Sequence, residues 1–180
     1  MLARIQAWDE NILRRLLKKH TPKLNKIMIL VSKIGNHGIV WFIFSVPFLL
    51  MNRWRFTGFT ILLAMAFAYL GGEITIKNIV GRVRPCKKEF EKDLLIKNPL
   101  EYSFPSGHTA SSFAVSTVVS IMCPIIVVPV IILSCLIAFS RMYLLVHYPT
   151  DVLAGLVFGV ICGFAAVPVA NCIPFFKFQF

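Results

Sequence analysis

TDVLAGLVFGVICGFAAVPVANC, residues 150–172, carries a single charge, Asp151, at its very start. A helix needs about 20 apolar residues to cross a bilayer core, and this run supplies them. Working outward, further apolar runs cover about 38–51, 56–80, 108–122 and 125–146. Backbone groups cannot stay unpaired in lipid, and none of these runs alternates strictly, so helices follow rather than a barrel. With 180 residues, 57% hydrophobic and only 15% charged, the chain is too apolar for an ordinary soluble domain and too short for two large ones. The expected fold is all-α, a polytopic membrane bundle of five to six helices.

The net charge of +11 would suggest nucleic acid in a soluble protein. Here no nucleic-acid motif accompanies it, and little water-facing surface is left to carry one, so anionic lipid headgroups are the expected partner and nucleic acid is not. Residues 1–23 read as an interfacial amphipathic helix: Leu2, Ile5, Trp8, Ile12, Leu13, Leu16 and Leu17 recur at helical spacing among Arg4, Arg14, Arg15, Lys18 and Lys19. Charge interrupts that apolar stripe and no small-residue cleavage site follows, which argues against a signal peptide. Residues 24–180 form the membrane domain. Gly35-Asn36-His37-Gly38 breaks its first apolar stretch, leaving either one bent crossing or a half-helix and a short crossing over 24–51. The long polar loop is 81–105. Five cysteines, none in a C-x-x-C pair, read as buried thiols; Cys86 alone falls in the polar loop.

Counting crossings puts several ionisable residues on one face: the second helix ends where the third begins, and the fourth ends there too, where the fifth begins. Lys77, His108, Arg141, His147 and Asp151 therefore meet. Ionisable groups at membrane helix ends are costly and mark functional sites. Lys77 and Arg84, with six residues between them in the pattern K-x6-R-P, can hold phosphoryl oxygens, as a point charge and a planar fork; taken alone, headgroup anchors explain them more simply. Glu73, one turn before Lys77, reads as its ion-pair partner. Ser106 stands at the N-cap of an apolar run and Gly107 admits an anion to the exposed N–H groups, with His108 in the first turn able to protonate a departing oxygen. His147 can attack phosphorus, Asp151 can accept its other ring N–H, and Arg141 can face the same pocket. Helix caps and surface histidines explain each of these residues singly but not all together. No carboxylate cluster or H-E-x-x-H pattern offers a metal cage, so neither metal nor cofactor is expected.

The three motifs, K-x6-R-P at Lys77, P-S-G-H at Pro105 and S-R-x5-H-x3-D at Ser140, occur in the order of the type 2 phosphatidic acid phosphatase superfamily, which the chain resembles over most of its length. The resemblance implies a metal-free lipid phosphatase with His147 as nucleophile, His108 as general acid and then base, Asp151 orienting His147, and Lys77, Arg84, Ser106, Gly107 and Arg141 binding the phosphoryl oxygens. A membrane lipid phosphate is the implied substrate, with undecaprenyl diphosphate ranked first and phosphatidylglycerophosphate or phosphatidate next. Two alternatives are a lipid phosphotransferase and a non-catalytic lipid-phosphate binder or transporter. Lysines and arginines favour a cytoplasmic active face, since Arg82, Lys87, Lys88, Lys92 and Lys97 stand against Arg53, Arg55 and Lys177. The resemblance implies the opposite, an extracytoplasmic site in the cell membrane, and phosphate binding accounts for much of the basic excess.

Overall fold

Each apolar run folds as helix, and among the residues described by the computed structural model, 2–97, 99 and 101–173, no strand occurs. Residues 174–180 of the expected membrane domain, and Lys177 of the charge comparison, lie outside that set. The helices are α1 (Leu2–Leu17), α2 (Pro22–Ile34), α3 (Ile39–Leu50), α4 (Arg55–Ala68), α5 (Lys77–Val80), α6 (Gly107–Met122), α7 (Val127–Tyr143) and α8 (Pro149–Asn171). Between α4 and α5 the chain continues as a π-helix, Tyr69–Ile76. Local signals set the starts. Thr21 caps α2, its hydroxyl accepting from Leu24 N at 3.3 Å with Pro22 in the first turn, and Pro149 opens α8.

Three helical segments are long and apolar enough to span a bilayer: Asn52–Lys87, Pro124–Tyr143 and Pro149–Asn171. Taken together, Pro22–Ile34 and Asn36–Leu50 are also long and apolar enough, but they bend by 46° at Gly35, so the 24–51 segment is either one broken span or a re-entrant pair. Outward faces are apolar, with Ile43, Val128 and Phe164 all exposed, as lipid-facing positions require. The expected third crossing, α6, has 16 residues and so is about 24 Å long. It is the centre of the bundle, with α4, α7 and α8 around it and Ala110, Ala114, Val115, Val118 and Val119 buried. Trp41 of α3 ties to it through Nε1, which donates to Ser112 Oγ at 3.0 Å.

A stripe of small residues brings α8 close to α6. A Cβ on Gly155 would lie 2.6 Å from the Ser106 carbonyl oxygen, and one on Gly159 2.3 Å from that of Ala110. With Gly163 one turn further, the four-residue spacing keeps all three on the contacting face. This approach lets Ser106 N donate to Asp151 O at 3.0 Å, fixing the start of α6 against the start of α8.

Two expectations need correction. The 81–105 loop, read as simply polar, is pinned into the bundle: Arg84, Pro85, Cys86, Phe90, Ser103 and Pro105 are buried while Lys87, Lys88, Lys92 and Lys97 stay exposed, and the Cys86 thiol packs with Met28, Tyr143, Leu144 and Val146. The amino-terminal helix does more than lie on headgroups. Ile5 and Trp8 face outward, but Asp9 and Leu13 are fully buried against the bundle, and Arg14 pairs with Glu89 of the loop.

Candidate active site

Four helix ends converge as the crossing count requires. Lys77 lies at the start of α5, Ser106 and Gly107 at the start of α6, Arg141 in the last turn of α7, and Asp151 in the first turn of α8. The turn from α7 to α8 delivers His147. It places Leu145 in the left-handed region at φ 58 and folds the N–H groups of Val146 and His147 back onto the Arg141 carbonyl, at 3.2 and 3.3 Å. A buried leucine in that conformation is strained, and such strain is held where surrounding structure fixes a functional turn.

His147 is 1% exposed, so every polar contact of its ring is made within the protein. Nδ1 lies 2.7 Å from the Ser103 carbonyl oxygen, which can only accept; Nδ1 therefore carries the proton and Nε2 the lone pair. Nε2 faces Arg84 Nη1 at 3.1 Å. The expected orienter, Asp151, stands 3.7 Å from Nδ1, beyond a hydrogen bond. Its carboxylate instead accepts from Tyr148 N at 2.9 Å and from Arg82 Nη1 at 2.6 Å. Burial, and then the charges of Arg84, Arg141 and Lys77, push the His147 pKa well below the ordinary histidine value, against the Ser103 hydrogen bond, which raises it.

The cations surround this ring. Arg84 is fixed by the carbonyls of Glu101 at 2.8 Å and Val146 at 3.0 Å. Arg141, 4% exposed, donates from Nη1 to Ser32 Oγ, while its buried Nε has no partner among the described residues. An unpaired guanidinium N–H in a dry site is costly, and a phosphoryl oxygen is the partner it fits. The Lys77 ammonium pairs with Glu73 and lies 3.2 Å from Glu101 Oε2. Lys77, ahead of other causes, holds Glu101 below the usual carboxylate range. A cavity of about 340 Å³, lined by Glu73, Lys77, Asn78, Glu101 and Tyr102, opens on the ammonium; His147 is not in its wall.

Ser106 occupies the N-cap position of α6, but its buried hydroxyl makes no cap bond and accepts from Thr109 Oγ1 at 2.9 Å. Gly107 meets the Glu73 carboxylate, which sits so close that a Cβ there would fall 1.8 Å from Oε1. His108 Nε2 is 3.0 Å from Asn36 Oδ1, so the break between α2 and α3, with Gly35 packed against the ring, holds the imidazole in place. Sequence reasoning missed Ser103, Arg82, Asn36 and Asp9. Only the polar break at Asn36 carried a visible signal.

The PAP2 superfamily model matches residues 57–172. An undecaprenyl-diphosphatase of Sulfolobus acidocaldarius is 31% identical over 158 residues, covering 87% of this chain and 75% of its own length. Among solved structures, LpxE of Aquifex aeolicus superposes with a TM-score of 0.77 at 27% identity, covering 88% of this chain and 93% of that one. A phosphatidylglycerolphosphate phosphatase of Bacillus subtilis gives a TM-score of 0.76, covering 97% of this chain and 90% of its own; at 23% identity it speaks to the fold. The matched segment begins within α4 and runs to the end of α8, so it contains all three motifs and the converging helix ends, and the chain belongs to the PAP2 superfamily.

Proposed function

We propose that this multi-pass membrane enzyme hydrolyses the terminal phosphate of a lipid phosphate through a phosphohistidine, with undecaprenyl diphosphate the first candidate and phosphatidylglycerophosphate or phosphatidate next. The carrying observation is the buried His147 imidazole, whose Nε2 lone pair is turned toward Arg84 amid a cluster of cations. Its Nε2 attacks phosphorus while the bond from phosphorus to the lipid-side oxygen breaks, and His108 gives that oxygen a proton. Water then attacks the phosphohistidine, yielding its proton to His108, and inorganic phosphate leaves. Arg84, Arg141, Lys77 and the first N–H groups of α6 from Gly107 onward, with Ser106 at the N-cap position of that end, hold the phosphoryl oxygens, and such fixed charge is the main source of rate in phosphoryl transfer. With both ring nitrogens substituted, His147 becomes cationic, and the Asp151 carboxylate at 3.7 Å stabilises it.

The polyprenyl diphosphate ranking is supported by the Sulfolobus relative. The extracytoplasmic side assigned to the site rests on the family resemblance. Because Cys86 is buried while Cys135 and Cys172 are exposed, the test of that placement uses exposed Lys92 in a chain with Cys135 and Cys172 changed to serine: a membrane-impermeant maleimide should label Lys92→Cys in intact cells, and labelling only after lysis reverses the orientation.

The deciding assay is phosphate release from a panel of lipid phosphates and diphosphates, with and without chelator. Wild type should release phosphate in both, and an alkaline quench should trap radiolabelled phosphate on it. Turnover by His147→Ala, or loss of activity to chelator, would overturn the mechanism. Transfer of the phosphoryl group to an added alcohol, with no free phosphate, would favour the phosphotransferase.

A further inference from the structure

Asp9, on the amino-terminal helix, is 0% exposed and belongs to none of the three motifs. A buried carboxylate is costly unless its lone pairs are met, and here they are. Oδ2 accepts from Arg82 Nη2 at 2.7 Å and Thr150 Oγ1 at 2.6 Å, and Oδ1 accepts from Thr150 N at 3.0 Å. Gln6, one turn earlier, adds its Oε1 to Arg82 Nη2 at 2.8 Å. A helix that only rested on headgroups would keep these side chains in water.

Arg82 is the other end of the contact. Its Nη1 donates to Asp151 Oδ1 at 2.6 Å and to Thr150 Oγ1 at 2.7 Å, and its guanidinium lies 4.0 Å from the Tyr148 ring centroid. Its backbone carbonyl accepts from Ser103 N at 2.8 Å and Ser103 Oγ at 3.1 Å. Ser103 is the residue whose carbonyl takes the His147 Nδ1–H, and Asp151 is the carboxylate beside that same nitrogen. The two groups at the Nδ1 edge of His147 are thus fastened to one residue, through its main chain on one side and its side chain on the other. The side chain, in turn, is fastened to α1.

We propose that α1 is a clamp on the catalytic imidazole, with Asp9 and Arg82 as positioning residues that hold the Nδ1 edge of His147, so that turnover requires α1 to be seated on the bundle. The inference rests on His147 being the nucleophile. A planar fork bridging two carboxylates is a task that lysine, a point charge, cannot perform, so Arg82→Lys is a specific probe.

The test compares full-length wild type, Asp9→Asn, Arg82→Lys and the pair in detergent micelles, with phosphate release as readout. Each single variant should lower kcat about 10- to 100-fold, by analogy with the loss when an outer-shell partner of a metal-bound histidine is removed, and leave KM within about twofold. The pair should be no slower than Arg82→Lys alone, because both substitutions cut one connection. Wild-type kcat in either folded variant, a change confined to KM, or additive losses would overturn the clamp. Should Asp9→Asn aggregate, Thr150→Val, which removes one donor to Asp9 and keeps the backbone bond, carries the same expectations. His147→Ala is run alongside: activity there refutes the nucleophile, whereas loss there with full activity in Asp9→Asn and Arg82→Lys refutes the clamp alone.

Discussion

His147 donates its Nδ1–H to the carbonyl oxygen of Ser103 at 2.7 Å, so a backbone atom, not a carboxylate, fixes its tautomer. A carbonyl has no proton to offer, and this constraint survives any change at Asp151. In serine proteases the Asp-to-Asn change costs about 10⁴ because the histidine adopts the wrong tautomer. Here Asp151→Asn should cost only about 10- to 100-fold in kcat, the part owed to lost charge beside the phosphohistidine, while His147→Gln should abolish turnover. A loss near 10⁴ in phosphate release by Asp151→Asn would show that the carboxylate moves in to orient the ring.

Acid should inhibit later than an ordinary histidine allows. His147 attacks only when neutral, and burial with Arg84, Arg141 and Lys77 lowers its pKa, so it stays neutral to a lower pH. The acid limb of kcat/KM should therefore lie below about pH 6.5, the unperturbed histidine value. Arg84→Gln removes a positive neighbour and should move the limb upward. The substrate phosphate titrates in the same region, but its contribution cancels in the difference between the two profiles. A limb that stays in place would mean that another group controls it.

The membrane bundle and the convergence of Lys77, Arg84, Ser106, His108, Arg141, His147 and Asp151 were legible because long apolar runs fix which helix ends share a face. What held those residues in place was less so. Ser103 acts through its carbonyl, and main-chain atoms leave no mark on residue type. Asp9 sits on a basic amphipathic helix, where an acid reads as solvated; only the position of Arg82 across the bundle explains its burial. The π-helical stretch Tyr69–Ile76, which carries Glu73, has no local sequence signature. By contrast, the spacing of Gly155, Gly159 and Gly163 was in plain view, and it foretells a close helix contact.

Gly107 should tolerate alanine in the fold but not in function. The methyl group would collide with the Glu73 carboxylate, and that is the far end of a flexible side chain, free to swing aside. The same methyl would stand where a phosphoryl oxygen must approach the first N–H groups of α6. Gly107→Ala should therefore melt close to wild type and raise KM about tenfold, near the lower end of what one hydrogen bond to a charged group contributes. Unchanged KM would remove the start of α6 from the anion site.

Gly159 is the opposite case, because its obstacle is backbone. A Cβ there would meet the Ala110 carbonyl oxygen at 2.3 Å and the Ala114 nitrogen at 3.0 Å, and neither can rotate away. Helices α6 and α8 would have to separate, at a cost of ~1–3 kcal/mol for overpacking. Separation would also pull the α8 start, with Asp151, from Ser106 at the start of α6, whose N–H reaches the Asp151 carbonyl. Gly159→Ala should thus lower the thermal midpoint by several degrees and reduce kcat together, although it lies two turns from the site. Leu153→Ala, on the same helix but half exposed to lipid, should change neither. If Gly159→Ala melts and turns over as wild type does, the glycine stripe does not set the spacing of the two helix ends that carry the chemistry.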